Sequence, residues 1–117
     1  MPKETIGEEG RVTPGDPFVL FTNPADQEAT VDIEVNNCGA DAAEVKLHIS
    51  RTDAPGPGTC IKGPVTLNQG GSLERTNRPL LPGQRIIIET DGAEVDAQMS
   101  GVTQLAAAAA AAAQGES

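Results

Sequence analysis

Two stretches of the chain alternate apolar and polar residues so strictly that strand faces can be read from them. In 28–50, EATVDIEVNNCGADAAEVKLHIS, Val31, Ile33 and Val35 fall on one phase and Thr30, Asp32, Glu34 and Asn36 on the other. A second run sets Val45, Leu47 and Ile49 against Glu44, Lys46, His48 and Ser50. Period-two alternation gives a strand one dry face and one wet face. The small-residue connection 37–43 predicts that the two runs form a β-hairpin closed by a bulge or wide loop, with Gly39 as its positive-φ residue. Fixing the backbone of a hairpin costs about 1 to 2 kcal/mol per residue, while each fully buried aliphatic side chain contributes roughly 1.5 to 3 kcal/mol. The hairpin therefore requires a second apolar layer from elsewhere in the chain.

The remaining pattern supplies candidates for that layer. Residues 18–21, FVLF, form an apolar strand that ends in the turn residues Thr22, Asn23 and Pro24. Pro55, Gly56, Pro57 and Gly58 require an exposed loop, after which 59–61 predicts a short edge strand and 65–67 another alternating one. A turn at 68–71, a segment opening at Leu73 and a Pro-Gly corner at 79–83 follow. The three isoleucines 86–88 predict a strand covered on part of both faces. Asp91-Gly92 is a hairpin signal, and beyond it Ala93, Val95, Ala97 and Met99 alternate with Glu94, Asp96, Gln98 and Ser100. The second layer is thus expected from 86–88 and 95–99, completed by 18–21.

About seven short strands without helical periodicity predict an all-β fold, an antiparallel β-sandwich of Ig-like or jelly-roll-like form. The sandwich is assigned to 18–103. Residues 1–17, MPKETIGEEGRVTPGDP, mix charge with glycine and three prolines and carry no period, so they are expected as an extended N-terminal arm whose removal leaves the sandwich folded. Residues 104–117 form an Ala-rich C-terminal tail, whose eight consecutive alanines, 106–113, favour a helix too short to be stable without packing.

Composition narrows the function. A chain of 117 residues fits one domain. Phe18 and Phe21 are its only aromatics, which leaves no stacking platform for sugars or single-stranded nucleic acid. A net charge of -9 repels phosphate backbones and anionic membrane surfaces, so neither nucleic acid nor membrane is an expected partner. No apolar run approaches the 18 or so residues that span a bilayer. With no signal-like start, the chain reads as cytosolic and Cys38 and Cys60 as a reduced pair; a disulfide between them would join two loops flanking one strand.

Candidate chemistry is sparse. His48, the only histidine, lies on the polar phase and is expected to be exposed and paired across the hairpin with Asp32 or Glu34. Cys38, His48, Cys60 and Met99 lack the second histidine and the close spacing of a copper site. Asp41, Asp53, Asp91 and Asp96 sit in or beside loops without the alternating pattern of a calcium loop. The glycines around Gly56 and Gly70 lack the residues of a phosphate cradle. No catalytic, cofactor-binding or metal-binding residue is assigned, and the protein is not expected to be an enzyme.

Three segments, VLFTNPADQEATVDIEVNNCGADAAEVKLHIS, VTLNQGGSLERTNRPLLPGQRIIIET and AEVDAQMSG, together resemble the small β-sandwich structural proteins of tailed bacteriophage virions, namely capsid decoration or cement proteins and related tail modules. The likeness spans 17–102 and consists of an order of strands and turns. The charged 1–17 and the alanine-rich end are outside that pattern. The resemblance implies a virion protein that binds the major capsid protein, or tail proteins, with no cofactor and with homo-oligomers allowed. A tail or baseplate adaptor is one alternative; an extracellular Ig-like adhesion module or a secreted enzyme accessory domain is another.

Overall fold

The alternating runs do form strands, but those strands face one another across the core instead of pairing. In the computed structural model, which describes residues 4–105, the described residues form eight strands: β1 (Glu4–Val12), β2 (Phe18–Thr22), β3 (Gln27–Asn36), β4 (Ala43–Ser50), β5 (Cys60–Leu67), β6 (Ser72–Leu80), β7 (Arg85–Asp91) and β8 (Val95–Leu105). Sheet A has the order β1-β8-β3-β6 and sheet B the order β2-β7-β4-β5. All six ladders are antiparallel. Two four-stranded sheets connected in this order make a jelly roll, which settles the form of the sandwich.

Every connection except β4–β5 crosses from one sheet to the other. β3 pairs with β6 and β8, while β4 pairs with β5 and β7, so the expected hairpin is in fact one strand from each layer. The Asp91-Gly92 turn likewise joins strands of different sheets. Alternation records which face of a strand is dry, and a facing sheet covers that face as well as a neighbour supports it. The connections decide the pairing. After β3 the chain is held by Asn37, whose buried Nδ2 donates to Asp41 O at 2.7 Å and Leu67 O at 2.8 Å. Its main-chain N–H donates to Gly71 O at 2.9 Å, which ties this corner to the β5–β6 corner.

The core lies between the sheets. Val12, Ala29, Val31, Ile33, Val35, Leu73, Leu80, Val95, Ala97 and Met99 of sheet A meet Leu20, Ala43, Val45, Leu47, Ile49, Leu67, Ile86 and Ile88 of sheet B. Ile87 points to the other face of sheet B yet is 0% exposed. In the ladder it lies between Val19 and His48, on the face to which the 51–59 loop is tied through His48 and Thr59.

Both flanks of the sandwich differ from expectation. Residues 4–12, read as part of an arm, are strand β1, paired with β8 along its whole length. Its core-side positions are Glu4, Ile6, Glu8, Gly10 and Val12, which do not form an apolar stripe, and so the pattern hides it. What seats β1 is Val12, buried opposite Val95, and Gly10, where a Cβ would overlap the Phe18 ring. At the other end β8 continues through Gln104 and Leu105, opposite Glu28 and Gln27, so the sandwich runs past 103. The remainder of the expected alanine-rich tail, 106–117, lies outside the described residues. The short segments expected at 59–61 and 65–67 merge into one strand, β5, which begins at Cys60 and whose register against β4 shifts between Val45 and His48.

Candidate functional site

Outward positions on β8 are Asp96, Gln98, Ser100 and then Val102, an apolar residue on the polar phase. Register places Val102 beside Thr30 of β3, and Thr30 beside Pro79 of β6, in one row across sheet A. Leu81 follows at the end of β6. Among the described residues, Leu81 at 50% and Val102 at 40% are the exposed large hydrophobics, and both line a single groove of about 160 Å³ with Glu28, Thr30, Pro79 and Gln104. The backbone that presents Leu81 is clamped on both sides. Its N–H donates to Gln84 Oε1 at 2.8 Å, and its carbonyl accepts from Asn23 Nδ2 at 3.0 Å. Asn23 is buried and also donates to Gln27 O at 2.8 Å, which locks the β2–β3 corner against β6. The result is a small apolar patch with a polar rim, held on rigid backbone.

His48 stands elsewhere, on the outer face of sheet B, and it is buried instead of exposed. Asp32 and Glu34, its expected partners, belong to sheet A. Its Nδ1 lies 2.9 Å from Thr59 Oγ1, and its Nε2 lies 2.7 Å from Glu89 Oε1 on β7. That second approach is close but not aligned as a hydrogen bond, and Nε2 makes none. A hydroxyl, an imidazole and a carboxylate in a row invite comparison with a nucleophilic triad. The direction of the bonds is wrong for it: Thr59 Oγ1 donates to Gly56 O at 2.8 Å and accepts from Gly56 N–H at 3.0 Å. Its proton is thus committed, which makes Nδ1–H the donor and Thr59 its acceptor. The arrangement pins the 51–59 loop, with help from Arg85, whose Nε donates to Asp53 Oδ1 at 3.0 Å.

The other candidate side chains are scattered. Cys38 and Asp41 line a groove of about 390 Å³ with Arg11 and Asp96. There the Arg11 Nε–H bonds Asp96 Oδ1 at 3.0 Å. This hydrogen bond is the chief reason the Asp96 carboxyl titrates below the usual carboxylate range; partial burial opposes it, while the Arg11 charge and the Cys38 thiol assist. Met99 is in the core. Cys60 pairs with His48 in the ladder, five residues along β4 from Ala43 and so roughly 17 Å from the end that Cys38 adjoins. Both thiols are free, and a separation of that size exceeds the ~7 Å Cα limit of a disulfide. Among the described residues no group of three or more His, Cys, Asp or Glu, Asp53 and Asp91 included, is placed to hold a metal ion.

Two signals for the groove were present in the sequence but lay outside the apolar stripes: Val102 out of phase, and Leu80-Leu81, of which alternation can bury only one. No protein-family profile matches the chain, and no curated protein matches it.

Proposed function

We propose that the protein is a virion structural protein, a capsid decoration or cement protein that binds the outer capsid surface and reinforces contacts between capsid subunits. The observation that carries this reading is the rigidly presented Leu81–Val102 patch. A protein that works by attachment needs an apolar anchor with a polar rim on a scaffold that does not rearrange. The likeness of its strand and turn order to small phage β-sandwich proteins supports the same conclusion, and the acidic charge favours a protein partner over nucleic acid.

The test uses particles stripped of this protein and purified wild-type chain, Leu81→Asp and Val102→Asp. Each variant should bind about tenfold or more weakly, as expected for loss of an interface anchor. Because both side chains are exposed, the melting temperatures should stay close to wild type. Equal binding by all three chains would remove the patch from the attachment surface. Absence of the protein from purified virions, measured by mass spectrometry, would refute the virion reading, and density on the tail in cryo-electron microscopy would make it a tail or baseplate adaptor.

A further inference from the structure

β1 is lightly seated on the core, with one buried side chain among its nine residues. It pairs with β8 alone, as the terminal strand of sheet A. Of its core-side residues only Val12 is buried; Ile6 and Gly10 are half-buried, and Glu4 and Glu8 are exposed. Its specific anchors are gathered at one end. They are Val12 opposite Val95, Gly10 beneath the Phe18 ring, and the Arg11 contact to Asp96 at 3.0 Å. From Glu4 to Glu9 the strand is held by the main-chain ladder and Ile6. Gly7 weakens it further, since glycine loses the most backbone freedom in a strand and offers no side chain to pack.

The segment after Val12, Thr-Pro-Gly-Asp-Pro at 13–17, is tied to β7 by a long hydrogen bond, Gly15 N–H to Thr90 O at 3.3 Å, and closed on itself by Asp16 N–H to Thr13 O at 3.4 Å. A strand with one partner, few anchors and a short proline-bearing hinge can leave its own β8 and occupy that of an identical chain. Every anchor is then recovered, because Val95, Asp96 and Phe18 are present in the second copy too. Simple addition of one β1 to the free edge of another is disfavoured, because Glu4, Glu8 and Glu9 would bring like charges together along the new ladder.

We propose that β1 exchanges between two copies of this chain, each β1 completing the other copy's sheet A along β8. The inference stands apart from the virion reading and holds or falls without it.

Disulfide trapping tests it. In a chain carrying Cys38→Ser and Cys60→Ser, Gly7→Cys and Ser100→Cys place thiols at positions that are partners in the β1–β8 ladder. A Cβ at Gly7 meets nothing closer than Met99 O at 3.5 Å, so the substitution is accommodated. Oxidation at increasing protein concentration, read on denaturing gels, should give covalent dimers whose share rises with concentration, and tagged with untagged chain should give mixed dimers. Only intrachain closure at all concentrations would overturn the proposal. A second measurement uses the unmodified chain and hydrogen exchange. The ladder amides of 5–9 should exchange at least about tenfold faster than those of β3; equal protection would also overturn it.

Discussion

Asn23 and Asn37 occupy matching places, each directly after a strand of the core, and each divides its side-chain amide between a main-chain carbonyl of its own corner and one of another. Replacing Asn37 by alanine leaves Asp41 O and Leu67 O without that donor and should destabilise the fold by about 1 to 3 kcal/mol in urea denaturation. Asn37→Asp should do worse, because a carboxylate has no proton to donate to either carbonyl. A variant as stable as wild type would show that these bonds do not hold the corner. At Gly101 the limit is steric: an added Cβ would overlap Thr30 O and crowd Val31 Cα at 2.9 Å, both backbone atoms. Gly101→Ala should therefore cost about 1 to 3 kcal/mol by overpacking. Neither role was visible in the sequence. Asparagine reads as turn chemistry and Gly101 as an ordinary strand end, since burial and close approach depend on neighbours far along the chain.

At the scale of elements, the dry faces were legible and the partners were not. Val31, Ile33 and Val35 were correctly assigned to the core, and so were Val45, Leu47 and Ile49; that the two triplets come from opposite sheets depends on tertiary bonds such as those of Asn37. β1 stayed hidden because a strand held by its ladder needs no apolar stripe. Its ion pair with β8 gives a pH signature. Arg11 lowers the pKa of Asp96 in the folded chain, so the pair's contribution is complete above the unfolded carboxylate pKa and is lost as pH falls through the folded one. The melting-temperature gap between wild type and Asp96→Asn should be steady near neutrality and close in acid. A gap that persists unchanged at low pH would rule the pair out as its cause. On the outer face of sheet A, Glu34 and Glu74 stand directly opposite one another. Like charges in that position repel, so Glu74→Lys should stabilise the protein by up to about 1 kcal/mol, measured by thermal or chemical denaturation.

For the whole molecule, the ladders share one property. Each of the six joins a strand from before the 51–59 loop to a strand from after it. Neither half contains a native pair of its own. Two fragments divided within the exposed 54–57 loop should each lack β-sheet circular dichroism and regain it on mixing; native-like sheet signal from a lone half would contradict this. The same topology makes most native contacts long-range, which places folding in the millisecond-to-second class of all-β domains.

The order of sheet A also sets a schedule for the chain as it leaves the ribosome. β1 is the first of the eight strands to be made and β8 the last, and β8 is the one strand with which β1 pairs. Until β8 emerges, β1 waits without a mate. Where several ribosomes translate one message side by side, sister chains finish within reach of one another, and the first β8 that a waiting β1 meets need not be its own.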